Sequence, residues 1–126
     1  MDPAIQHALD HDLTVDITTT GRRSGQPRRL EIWMLRVEGR WFITGTPGPR
    51  DWLANLRADP RLTLHLKESA TADLPARAVA VTDTSTRRRV LTHAAARWYR
   101  SQHDLEGLVA DAPMVELFFE HGAAAE

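Results

Sequence analysis

Leu62–Lys67 alternates cleanly, with Leu62, Leu64 and Leu66 on one face and Thr63, His65 and Lys67 on the other, the period of a half-buried strand. Arg28–Val37 carries a second alternation. Leu30, Ile32 and Met34 share one face and Trp33, Leu35 and Val37 the other, so this strand needs apolar cover on both sides. Glu38-Gly39 predicts a two-residue hairpin turn, with Gly39 free to be left-handed, and Arg40–Gly45 returns as the next strand. β-branched residues mark Thr14–Thr20 as the first strand, and Ala76–Val81 and Met114–Phe119 complete the set. The polar stretch Glu68–Leu74 connects two of them and lengthens their hairpin in part.

Helical spacing appears in three places. Pro3–Leu9 follows Asp2 as a cap, with Ala4, Ile5, Ala8 and Leu9 on one side. A short helix over Trp52–Ala58, begun near Asp51, turns Trp52 or Leu53, with Leu56, inward and stops before Asp59-Pro60. From the cap region Asp83–Thr86 one helix is predicted to run to about Gln102, on the stripe Val90, Leu91, Ala94, Ala95 and Trp98. Leu105–Ala110 adds a turn of helix, and the small-residue tail after His121 is predicted to fray. Five or six strands with hairpin-length loops and one main helix give a mainly β fold, a small barrel, in one domain spanning 1–126.

Composition narrows the chemistry. The net charge of −1 supplies no global field toward nucleic acid, and no aromatic-basic alternation follows a strand. With no cysteine, disulfides, thiolate catalysis and sulfur-ligated zinc are excluded, in keeping with a reducing compartment. The N-terminus lacks a basic stretch followed by an apolar one, and no apolar run reaches transmembrane length. A cytoplasmic protein is the expectation, with weak membrane-surface association left open. The six histidines lack metal-ligand spacing: His7 and His11 share a helix face, but no third ligand is tied to them, so no metal site is expected. Ser24 does not sit in a nucleophile elbow, and no histidine or carboxylate is linked to it by pattern.

The local asymmetry is the Asp16–Arg29 stretch, DITTTGRRSGQPRR. β-Formers lead into a turn hinged on Gly21 and Gly25, closed by Gln26-Pro27, and carrying Arg22, Arg23, Arg28 and Arg29. Guanidinium forks, backbone N–H groups and the Ser24 hydroxyl suit a phosphate or carboxylate, and a bound polyanion relieves the repulsion among the four arginines. The competing reading is a solvated turn. A second glycine- and proline-rich loop, Thr44–Arg50, leads to Trp52 and Asn55 at the start of the short helix.

TTTGRRSGQPR, followed by two strands, a Gly/Pro loop and DWLANLRADPRLTLHLK, resembles the deazaflavin-dependent nitroreductase family, also described as quinone reductases. The match covers residues 13 to about 81 through Thr18–Gly25, Arg28, Trp52, Asn55, Leu56, Ala58, Asp59 and Pro60. The resemblance implies a split β-barrel of the FMN-binding kind. It also implies an oxidoreductase that uses coenzyme F420, the reduced deazaflavin, to transfer hydride to a quinone, nitroaromatic or similar acceptor.

Carried over by position, Arg22, Arg23, Ser24 and Arg28 are the implied grip on the cofactor's phosphate and carboxylate tail. Thr44, Gly45, Thr46, Pro47 and Gly48 are the implied ring-facing strand end and loop. Arg23 stands where the family commonly has lysine. GTPGPR is shorter than the family's Gly-Gly-Ala-Pro loop; either Arg50 replaces its basic contact or the ring pocket is shaped differently. Tyr99, the single tyrosine, is the candidate to donate a proton or position the acceptor, with solvent the alternative donor. An FMN enzyme of the same fold and a non-catalytic carrier are the rival readings. Trp33, Met34, Trp41, Trp98, Tyr99, Phe118 and Phe119 favour a flat, hydrophobic acceptor. The face carrying Trp33, Leu35 and Val37 is covered either by the long helix or by a partner subunit; a homodimer is expected, since related split barrels pair across such a face.

Overall fold

The computed structural model describes residues 2–120, so the expected fraying after His121 lies outside the described residues. Six strands, β1 (Thr14–Thr20), β2 (Pro27–Val37), β3 (Arg40–Thr44), β4 (Arg61–Leu66), β5 (Ala72–Ala80) and β6 (Met114–Phe119), close an antiparallel barrel. Their order around the barrel is β1-β2-β3-β6-β5-β4. The β2–β3 turn is tighter than glycine alone requires. Glu38 and Gly39 both have positive φ, 54° and 75°, as a turn matched to the right-handed strand twist demands.

β2 changes partner midway. Its residues 27–33 pair with β1, and residues 34–37 pair with β3, which ends at Thr44. Beyond that point the edge of Arg28–Trp33 facing away from β1 has no strand beside it among the described residues. This break in the barrel wall is where the cleft described below opens.

Two helices plug the ends of the barrel. α1 (Pro3–His11) is capped by Asp2 and inserts Ala8 and Leu9; Trp41 Nε1 donates to its Leu9 carbonyl over 2.8 Å. α2 (Asp51–Ala58) sits at the opposite end, against Thr19 and Arg22, and inserts Trp52 and Leu56. Between them Val15, Ile17, Met34, Ile43, Leu64, Leu66, Val115 and Leu117 fill the interior, with Leu30 and Ile32 packed against it. Apolar area removed from water here is the main driving force for closure.

The opposite face of β2 is covered from within the chain. Leu35 and Val37, with Phe42 and Met114, form a second core beneath Val90, Leu91, Ala96, Tyr99, Leu108 and Val109, and Trp33 packs on its edge. The helical layer is not the single helix expected over 83–102. It comprises α3 (Thr84–Thr92), a 3-10 turn at Ala94–Ala96, α4 (Arg97–Gln102) and α5 (Leu105–Asp111). His93 takes extended backbone, φ −66° and ψ 151°, and its Nδ1 accepts from the Ala95 N–H, starting the next turn. Arg100 closes the break by donating to the Leu91 and His93 carbonyls, at 2.6 and 2.8 Å.

Arg87 pins this layer to the barrel. Its guanidinium is buried and donates to the carbonyls of Val81, Leu108, Val109 and Ala112, with no ion pair to a carboxylate among the described residues. The positive charge lies at the carbonyl end of α5, where the helix dipole favours a cation. β5 starts earlier than expected, at Ala72, because His65 and Asp73 face each other across β4 and β5. His65 Nδ1 lies 2.7 Å from Asp73 Oδ1, and Nε2 lies 2.7 Å from Thr18 Oγ1, so the half-covered ring expected at this position is fully partnered.

Candidate functional site

The Gly21–Gln26 turn is a closed loop. Gly21 donates to the Gln26 carbonyl and Gly25 to the Gly21 carbonyl, each over 2.8 Å, and Gly25 has φ 71°. A Cβ at Gly21 would stand 2.6 Å from Ser24 Oγ and 3.2 Å from the Gln26 carbonyl oxygen, so only glycine fits. Ser24 Oγ accepts from the Gln26 N–H over 3.1 Å. Its oxygen therefore shapes the turn, while its hydrogen stays available as a donor.

This loop faces the first turn of α2 across a cleft of about 470 Å³. Arg22, Arg23, Ser24, Arg28 and Arg29 line one side; Asp51, Trp52 and Asn55 line the other. The sequence motifs at 18–29 and 52–60, far apart along the chain, thus meet at one place. The partner change in β2 explains the opening, since Arg28, Arg29 and Leu30 belong to its half without a second neighbour.

The arginines differ in what holds them. Arg22 is latched: its backbone N–H and Nη1 both donate to Asn55 Oδ1, at 3.1 and 3.0 Å, and Nη2 reaches Asp51 Oδ1 at 3.4 Å. Asn55 is 4 % exposed and donates from Nδ2 to Thr19 Oγ1 over 3.2 Å, which ties α2 to β1. Arg29 pairs with Asp16 at 3.0 Å, and Lys67 lies 2.6 Å from the other oxygen of that carboxylate. Lys67 and Arg29 together hold the Asp16 carboxyl below its ordinary range. Arg23 and Arg28 have no acidic partner among the described residues, and the Arg28 guanidinium lies beside Gly21. The cleft therefore keeps two uncommitted guanidinium groups, the donor set a phosphate or carboxylate requires.

The Thr44–Arg50 segment does not line this cleft. Thr44 is 2 % exposed and donates to the Pro113 carbonyl over 2.7 Å. Gly45, Thr46, Pro47 and Gly48 are half-exposed, and Gly48 has φ 134°. Arg50 turns back on its own loop, donating to the Thr46 carbonyl at 2.9 Å, Thr46 Oγ1 at 3.2 Å and the Pro49 carbonyl at 3.2 Å. Its guanidinium braces the loop. Tyr99 is 5 % exposed in the second core, edge-on to Trp98 at 5.2 Å and to Trp33 at 6.1 Å, and it does not line the cleft. Burial holds its phenol above the ordinary tyrosine range.

The aromatic residues separate by role. Trp41 is edge-on to Phe119 at 5.5 Å and packs on the barrel core, where Met34 is buried. Trp98 and Phe118 are about half exposed, at 48 and 49 %, and Trp98 leans edge-on against Trp33 at 5.1 Å. Asp51, expected only as a helix start, also lines the cleft and reaches Arg22. The signal was an acidic residue in the first turn, directly before the tryptophan of the second motif. No group of three or more metal-ligating side chains occurs among the described residues, and no described helix is long and apolar enough to cross a membrane.

A six-stranded antiparallel barrel, interrupted along one strand and flanked by helices, with a basic cleft at the interruption, is a split β-barrel. Residues 4–107 match the F420H(2)-dependent quinone reductase family, and the chain belongs to that family of deazaflavin-dependent oxidoreductases. Solved structures share the fold. A conserved hypothetical protein from Mycobacterium tuberculosis, Rv2991, aligns with TM-score 0.69 and 21% identity over 95% of this chain and 81% of that one. The heme storage protein HutZ from Vibrio cholerae gives 0.68 and 18%, over 96% and 91%. An F420-H2 dependent reductase gives 0.59 and 18%, over 85% and 95%.

Proposed function

We propose that this protein reduces a planar, hydrophobic acceptor, a quinone or nitroaromatic, and that the arginine cleft holds the tail of its deazaflavin cofactor. The observation that carries this reading is the convergence of Arg23 and Arg28, both without acidic partners among the described residues, with the latched Arg22 on one cleft. When bound, the reduced deazaflavin supplies hydride; the chain supplies position and electrostatics.

Arg23, Arg28 and the Ser24 hydroxyl bind the anionic tail, and Arg22 fixes the loop that carries them. The rigid Gly21–Gln26 turn presents these donors without further ordering on binding, which limits the entropic cost. Gly45–Gly48, stiffened from within by Arg50, faces the ring. Trp33 and Trp98 border the acceptor side, where flat apolar area is selected by stacking. Tyr99 serves this reading as a packing residue that orients Trp98 and Trp33, and solvent supplies the proton.

Absorbance titration with the deazaflavin and with FMN tests the cofactor. Tight deazaflavin binding with none of FMN supports the reading; the reverse result replaces it with an FMN enzyme. A panel of acceptors then tests the reaction. Turnover of small hydrophilic substrates alone overturns it, and tight binding without turnover of any acceptor leaves a carrier. Pairing of two copies belongs to the same reading. Its support is the exposed apolar pair Val79 and Phe118 on the outer wall of β5 and β6, and sedimentation showing a monomer at micromolar concentration would exclude it.

A further inference from the structure

The cleft sets four arginines against a single carboxylate, Asp51. Asp51 is the first residue of α2 and is 90% exposed, with Oδ1 3.4 Å from Nη2 of Arg22, which is 30% exposed. Arg22 is thus shared between two unlike partners. Its contacts to Asn55 are short and anchored on a buried amide, whereas its contact to Asp51 is long and open to water. An exposed pair of this kind is weak and exchanges readily with other anions.

The position adds a second effect. The residue that caps α2, Arg50, makes no capping hydrogen bond with its side chain, so the first-turn N–H groups and dipole are met by the charge of Asp51. Asp51 acts as the resident anion of this end of the cleft, serving both the Arg22 guanidinium and the helix terminus. A ligand anion entering here takes over both, and then lies close to a displaced carboxylate of like charge.

We propose that Asp51 determines the charge selectivity of the cleft: it occupies Arg22 in the free protein, yields it to the ligand's anionic group, and holds down the affinity for that group. The proposal rests on the assignment of the arginine cleft to the cofactor tail. It separates anionic from neutral ligands, because only a charged tail competes with the carboxylate and is repelled by it.

The test uses Asp51→Asn, which keeps shape and removes charge, and Asp51→Ser, a neutral residue suited to a helix start. Each is titrated with the deazaflavin cofactor and with a deazaflavin core bearing an uncharged side chain, at low and high salt. The expected result is roughly three- to tenfold tighter binding of the anionic cofactor at low salt, shrinking at high salt, with the neutral core unchanged. Unchanged or weaker cofactor binding by both variants, with melting temperatures near wild type, overturns the proposal. So does equal tightening of the neutral core, which would indicate a steric effect. Arg28→Ala separates the two levels. If it loses affinity while the Asp51 variants gain none, the selectivity claim alone fails; if it binds like wild type, the cleft assignment fails and carries the proposal with it.

Discussion

Asn55 Oδ1 accepts two hydrogen bonds from one residue, the backbone N–H of Arg22 at 3.1 Å and its Nη1 at 3.0 Å. A single buried amide thereby fixes both the path of the arginine loop and the direction of one of its side chains. Arg22 is consequently a strut of the cleft more than a free ligand donor, and the uncommitted charge falls to Arg23 and Arg28.

Asn55→Ala removes this latch and leaves the Arg22 N–H and Thr19 Oγ1 without their partner. The expected loss is about 1–3 kcal/mol of folding stability. Urea denaturation measures it, and cofactor affinity should fall in parallel because the loop loses its anchor on α2. Wild-type stability would show that the loop is held by its own turn alone.

Arg28→Ala and Arg23→Ala remove charge from groups that brace nothing else in the described structure. Each should weaken cofactor binding by roughly ten- to a hundredfold, the value of a charge-assisted hydrogen bond, with little change in melting temperature. Two variants that bind as wild type does would return the arginine loop to the status of a solvated turn.

Tyr99 is the single tyrosine, so the ultraviolet absorbance of phenolate reports it alone. Its phenol is held above the ordinary value of 10.0 by burial, meaning that the folded state retains the proton after the unfolded chain has lost it. The associated stability is fully present below pH 10 and is lost as pH rises from there through the folded value. A folded-state titration midpoint at or below the unfolded one contradicts this, and Tyr99→Phe should flatten stability over that alkaline window.

Arg87→Ala should be the most damaging of these substitutions. It strips the guanidinium from the carbonyls of Val109 and Ala112, leaves Leu108 only its helical bond from the Ala112 N–H, and cuts the tie to Val81, for an expected cost on the order of 3 kcal/mol. Arg87→Lys should recover only part of that, since one ammonium cannot reproduce a planar fork reaching four oxygens. Thermal unfolding of the two variants checks the order.

The sequence by itself determined every strand's place and, except at the start of β5, its bounds to within a residue. Thr14–Thr20 and Met114–Phe119 fall where local pattern puts them, and β2 and β4 lie within one residue of expectation, because alternation specifies which side chains face the barrel. It also determined that the arginine loop and the Trp–Asn helix belong to one deazaflavin-using family, through two motifs in register. It did not determine the break at His93, where side chains nine and two residues apart, Arg100 with Leu91 and His93 with Ala95, override the helical stripe. Nor did it determine the separate fates of similar residues. Arg22, Arg23, Arg28 and Arg50 look alike as charges on loops, and only three-dimensional partners 33 positions away or four positions back make Arg22 a strut and Arg50 a brace. Periodicity encodes a face, which is a local property of the backbone. A hydrogen-bond partner across the barrel is a property of closure, and closure exists only in the tertiary structure.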